Sequence, residues 1–219
     1  MEKTVRLARA AAAQGAKRFV FLSTIKVHGE ETDGAPFLPG SAAAPQDDYS
    51  RSKWLAEEAL REVATRAGMS WVVIRAPLVY GRRARGNFQA LARLADTPVW
   101  LPFAAVRNRR SLVYVDDLAD ALVLAAAKEE ASGRAFLAAH PDAVSTAQLL
   151  GAMRAAVGRQ PRLIAMRPST LESLGALIGR QRVMRRLTRS LEVDPSDLQR
   201  VLGWRPRHSL EHGLAMSLR

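Results

Sequence analysis

Four short apolar runs, each of strand length and nearly unbroken, constrain this chain most. They are Arg18-Phe-Val-Phe-Leu-Ser23, Trp71-Val-Val-Ile-Arg75, Leu112-Val-Tyr-Val115 and Ala135-Phe-Leu-Ala138. A strand with one wet face alternates apolar and polar residues. A continuous apolar run instead predicts a strand covered on both faces, as in a parallel sheet. Helical stretches separate the runs. Residues 2 to 14 read as a helix closed near Gly15, and Asp47 or Asp48 caps a helix running to about Arg66. Asn87 to Ala95 reads as a helix, Asp116-Asp117 caps another to about Lys128, and Ser145 caps one to about Val157. Strand and helix in alternation predict an α/β fold, a doubly wound parallel sheet.

The texture changes after Pro161. A short strand is expected near 163–166, then helices at about 170–189, 195–202 and 209–217. The expected division is a sheet domain over 1–158, with a substrate-side insertion near 82–110, and a small, mostly helical lobe over 159–219.

The chain has 219 residues, enough for one sizeable core. No apolar run is long enough to span a bilayer, and Glu2, Lys3, Arg6 and Arg9 interrupt any leader-like stretch at the start. Cysteine is absent, which excludes disulfides and thiolate metal sites. The expected compartment is the cytoplasm. Lys and Arg number 33 against 21 acids, a net charge of +12. Aromatic residues do not interleave the basic patches, which argues against a nucleic-acid platform. The segment from Arg180 to Arg189 reads as a membrane or nucleotide contact, or as a solvated face bordering a cleft. His208 and His212 are four apart on an expected helix, but with no third ligand evident no metal site is expected. The four histidines read as surface residues, and Trp54 and Trp204 as packing residues.

Tyr49-Ser-Arg-Ser-Lys53 opens the helix that follows the first strand. Tyr and Lys four apart lie one turn above the other on the same side. The ammonium favours the phenolate, so a phenol that ordinarily titrates near 10 can serve as a base. Lowering it by about three units takes about 4 kcal/mol, more than one surface Lys supplies. A Lys together with a bound cationic cofactor in a dry cleft supplies it. Thr24, at the end of the first strand, would orient a substrate hydroxyl or carbonyl. Such a group moves a proton on a carbinol oxygen while hydride leaves the adjacent carbon.

Five strings stand in order along the chain. They are Phe21-Leu-Ser-Thr-Ile-Lys-Val-His28-Gly29, Tyr49-x-x-x-Lys53, Arg75-Ala-Pro-Leu-Val-Tyr-Gly81, Arg110-Ser-Leu-Val-Tyr-Val-Asp-Asp-Leu118 and Leu202-Gly-Trp-Arg-Pro206. In that order the chain resembles the extended short-chain dehydrogenase/reductase superfamily. Within it, the likeness is to the NAD-dependent nucleotide-sugar epimerase/dehydratase branch of the UDP-glucose 4-epimerase type. The resemblance implies NAD as cofactor, a nucleotide sugar as substrate, and is compatible with a homodimer. It implies Thr24 as the active-site hydroxyl, with His28 where the family has an aromatic residue four positions on. It makes Tyr49 the general base and then acid, and Lys53 the holder of the nicotinamide ribose. Ser23 and Pro77 would border the cofactor, while Asn87 and Arg110 would meet the substrate diphosphate. Dehydratases of the family add an acidic pair beside the hydroxyl residue, whereas Ile25-Lys26 stand here, which points to an epimerase or a reductase.

Family members open with a strand, a Gly-x-x-Gly-x-x-Gly turn and a helix that holds the pyrophosphate. The chain contains no such turn, so the resemblance implies that roughly 90 residues of the family pattern lie outside it. The alternative reading is a cofactor-free remnant that serves as a binding or scaffold protein.

Overall fold

The continuous apolar runs become strands because each is covered twice. In the computed structural model, which describes residues 2–218, three of them lie side by side and parallel. The order is β1 (Arg18–Thr24), β2 (Ser70–Ala76) and β5 (Arg134–Leu137), with Phe21 opposite Val73 and Val73 opposite Ala135. Adjacent residues of a strand face opposite sides. Val73 packs with Phe21 under the helices α1 (Glu2–Ala13) and α2 (Asp48–Arg66), through Ala8, Ala56 and Leu60. Its neighbours Val72 and Ile74 enter a second cluster with Leu118 and Ala121 of α4 (Val115–Ala127) and Leu198 and Leu202 of α8 (Ser196–Leu202). Both faces are dry, so neither tolerates a polar alternation.

Pro77 ends β2, and the chain restarts as β3 (Leu78–Tyr80), paired in parallel with β4 (Leu112–Tyr114). That pair leans on a third cluster. It includes Phe88 of α3 (Asn87–Ala95), Leu149, Leu150 and Met153 of α5 (Thr146–Ala156), Leu171 of α6 (Pro168–Leu177) and Leu214 of α9 (Leu210–Ser217). Ser145 caps α5 as its sequence position predicts, with Gln148 completing a reciprocal capping box.

Several local expectations change. Asp116 and Asp117 do not cap α4, because Tyr114 occupies the cap position and the helix starts at Val115. Asp117 is instead buried, and its Oδ1 accepts from the Arg207 backbone N–H at 2.9 Å and pairs with His208 Nδ1 at 2.8 Å. That anchors the loop carrying the buried Trp204, whose Nε1–H donates to the Asp117 carbonyl at 2.9 Å. The strand expected at 163–166 reduces to one bridge between Leu101 and Leu163. The helix expected over 170–189 is two, α6 and α7 (Gln181–Thr188), separated at Gly179, whose φ of +66° is one that glycine adopts without strain. Gly175 lets the two approach, since a Cβ there would collide with the Met184 side chain.

Candidate active site

The carboxyl end of β1 and the amino end of α2 open on one side into a cleft of about 950 Å³. Thr24 and Tyr49 both line it, with Pro77 beyond β2, Asn87 at the start of α3, and Arg110 before β4. Local rules place the first two. Thr24 leaves the strand and caps the short 3-10 turn Ile25–Val27, its Oγ1 accepting from Lys26 N at 3.3 Å. Asp47 caps α2 through Ser50 N at 2.7 Å, while Asp47 N donates to Ser50 Oγ at 3.1 Å. The cap fixes where the first turn begins, and so sets Tyr49 at the cleft with 55% of its surface exposed.

Lys53 sits one turn further along α2, but its ammonium does not serve the Tyr49 phenol. Lys53 Nζ donates to the Leu22 carbonyl at 2.9 Å and lies 4.7 Å from the centre of the Phe21 ring. Partial burial pushes the Lys53 ammonium below its ordinary pKa. The Tyr49 phenol stands above its ordinary value, through partial burial and then the negative charge of Asp47. Lys53 thus turns to a strand carbonyl, and burial and the Asp47 charge, rather than the ammonium, govern the Tyr49 phenol in the chain by itself. Ser23 is buried beside Leu22, and its Oγ has no hydrogen-bond partner.

Four arginines line the cleft: Arg85, Arg110, Arg180 and Arg186. Arg110 NH1 donates to the Arg189 carbonyl at 3.1 Å and forms no ion pair among the described residues. Burial and then the like charge of Arg186 lower its pKa to about 10. Arg186 donates to Glu30 at 2.9 Å, and Glu30 and Asp47 both accept from Lys26 Nζ, at 3.0 and 2.9 Å. Burial opposes ionisation of Glu30, yet the Arg186 and Lys26 hydrogen bonds hold its carboxyl below the ordinary range. Arg110, like Arg85 and Arg180 of the same lining, has no carboxylate partner among the described residues, an arrangement complementary to an anion. Leu91, Leu94, Phe103, Leu149 and Met184 add an apolar wall.

The network of Lys26, Glu30, Asp47 and Arg186 was not legible in the sequence. The one signal was the density of arginine over 180–189, for which a face bordering a cleft is one of the two readings. Two histidine expectations fail. His28 is buried, with Nε2 2.8 Å from the Arg75 guanidinium and Nδ1 3.2 Å from the Ala42 carbonyl. His208 precedes α9 and its Ser209 cap, and so does not share a helix with His212, although the two rings stack at 5.3 Å.

A model of the NAD dependent epimerase/dehydratase family matches residues 1–139, more than half of the chain. The chain belongs to that family. It is 37% identical over 212 residues to the UDP-glucose 4-epimerase of Vibrio cholerae, a match covering 96% of this chain and 65% of that protein. The chain thus spans a little under two thirds of that relative's length. Among solved structures, the UDP-glucose 4-epimerase of Thermotoga maritima with UDP-glucose has a TM-score of 0.75 at 24% identity, covering 98% of this chain and 66% of that one. The UDP-glucuronic acid 4-epimerase of Bacillus cereus in complex with NAD has a TM-score of 0.76 at 19% identity, covering 98% and 64%. At such identities the two structures establish the Rossmann-like fold. NAD dependence is the property of the family. Of the residues expected to border that cofactor, Tyr49 and Pro77 line the cleft, the buried Ser23 hydroxyl has no hydrogen-bond partner, and Lys53 is bonded to the Leu22 carbonyl. Its residues include no Gly-x-x-Gly-x-x-Gly turn for the pyrophosphate.

Proposed function

We propose that this chain carries the proton-transfer and substrate half of a nucleotide-sugar 4-epimerase acting on a UDP-sugar. The observation that supports it most is the joint presence of Thr24, Tyr49 and the anion-free Arg110 along one cleft. Arg110 holds the diphosphate, since a planar guanidinium meets two phosphate oxygens at once. Asn87 presents its amide to the same anion from the start of α3. Thr24 Oγ1 orients the sugar hydroxyl, and Tyr49 Oη takes its proton, then returns it after the keto-sugar has turned about its diphosphate anchor. NAD, when bound, supplies the chemistry of accepting and returning hydride. Because the Tyr49 phenol now stands above its ordinary value, positive charge must enter the cleft before it acts as a base near neutral pH.

One observation favours a second reading, nucleotide-sugar binding without turnover. Lys53 is held by the Leu22 carbonyl rather than directed at Tyr49. Calorimetric titration of the purified chain with NAD and UDP-glucose separates the two. Binding of both supports the epimerase, binding of UDP-glucose alone supports the second reading, and binding of neither removes both.

A further inference from the structure

The α6–α7 pair carries the densest exposed apolar group on the molecule. Leu177 is 82% and Ile178 68% exposed, with Leu174 and Val183 each at 47%. All four fall within ten residues around the bend at Gly179. Elsewhere exposed large apolar side chains occur singly or in pairs, as most protein surfaces tolerate. Leucine and isoleucine projecting from a helix–helix corner stabilise nothing in the chain itself.

The surroundings of this corner are basic. Residues 167–189 include six arginines and one acid, Glu172. Glu30 and Glu31, from the loop after β1, bond Arg182, Arg185 and Arg186, and Asp47 pairs with Arg186 while sharing Lys26 with Glu30, so with Lys26 seven cations meet four carboxylates and three positive charges remain in excess. Arg180, beside the corner, has no carboxylate partner among the described residues. An apolar tip with a guanidinium collar has two complementary requirements, hydrocarbon to cover the tip and anions around it. The headgroup boundary of an anionic bilayer meets both, since apolar side chains enter the acyl region while arginine stems reach back to phosphates.

We propose that the α6–α7 corner docks this protein on an anionic lipid surface, with Leu177 and Ile178 inserted at the headgroup boundary. No helix among the described residues is long and apolar enough to cross a membrane, so the contact is peripheral. Arg180, Val183, Met184 and Arg186 of the same corner line the cleft, and docking sets the cleft mouth at the lipid surface.

Sedimentation of the full chain with vesicles tests this. Vesicles of phosphatidylcholine mixed with phosphatidylglycerol should bind it at least about ten-fold more strongly than phosphatidylcholine alone. Replacing Leu177→Ser together with Ile178→Ser should weaken that binding at least about ten-fold. Both side chains are exposed, so the double variant should melt at the parent temperature. Leu38→Ser, at a leucine 50% exposed in the loop after β1, should bind like the parent. Equal partition between the two vesicle types, or none onto either, would overturn the proposal. The latter would point to an acidic protein surface as the occupant. Unchanged binding of the double variant would also overturn it, by assigning the attraction to net charge alone. The assay reads no sugar binding and no turnover, so failure of the function proposed above leaves its result intact.

Discussion

Arg75 and Glu57 form an ion pair inside the core that ties β2 to α2. Arg75 NH2 donates to Glu57 Oε2 at 2.6 Å, and Nε reaches both carboxylate oxygens at 3.2 Å. Both side chains are almost wholly buried. Arg75 NH1 also donates to the Pro39 carbonyl at 2.9 Å and lies 2.8 Å from His28 Nε2. One guanidinium therefore joins the strand that leads to Pro77, the helix that carries Tyr49, and the turn that follows Thr24.

Breaking one partner of such a pair strands a buried charge. Glu57→Gln should lower folding stability by about 3–5 kcal/mol, read as a shift of the urea midpoint. Replacing both, Glu57→Leu with Arg75→Met, should recover much of the loss, because neither charge is then left alone. A single variant within 1 kcal/mol of the parent would contradict the burial of this pair.

His28 gives the fold a pH dependence of known sign. Burial, and then the positive charge of Arg75, lower its pKa below 6.5. Nδ1–H donates to the Ala42 carbonyl, which leaves Nε2 to accept from Arg75. The unfolded chain takes a proton on this residue as pH falls below about 6.5, whereas the folded chain resists it. The contribution of His28 is complete above that pH and declines as pH drops toward the folded value. Glu30 and Glu172, whose carboxyls are held below 4.5, add a further loss at lower pH. Denaturant titrations at pH about 7 and about 5.5 should show the first decline in the parent and a smaller one in His28→Gln. Equal declines would remove His28 as its source.

Arg110→Ala should weaken UDP-glucose binding by about 1.5–3 kcal/mol, the range for a hydrogen bond to a charged group. The same change relieves repulsion from Arg186, so thermal stability should hold or rise. Calorimetry and a melting curve on one sample check both. Unchanged affinity would take Arg110 out of the site.

Tyr49→Phe removes one exposed oxygen and touches little else. Turnover should vanish while UDP-glucose affinity stays within a few-fold. Stability should change by less than about 0.5 kcal/mol, as for other exposed positions. A steady-state assay that still shows turnover would refute the assignment of the base.

Asp117→Ala frees the loop from Trp204 to His208 by deleting the acceptor of the Arg207 N–H and the His208 ring nitrogen. The expected loss is about 1–3 kcal/mol, with faster amide exchange at Trp204, Arg205, Arg207 and His208. Exchange at the parent rate would show that Trp204 packing holds the loop by itself.

The elements that local chemistry controls were legible in the sequence. The strands at Arg18–Thr24 and Ser70–Ala76 follow from unbroken apolar runs, α3 begins at Asn87 as expected, and α2 and α5 begin after Asp47 and Ser145 as capping requires. Motif order along the chain carried the family as well. Where one residue acts only through another far along the chain, sequence was silent. Arg186 meets Glu30 across more than 150 positions, Asp117 holds His208 rather than capping its own helix, and Lys53 turns to the Leu22 carbonyl instead of the phenol one turn back. Spacing fixes which face a side chain leaves from, because helix and strand periods are fixed by the backbone. The partner it finds there is set by which charges and carbonyls the packed layers bring within about 3 Å, and that is decided only when the layers close.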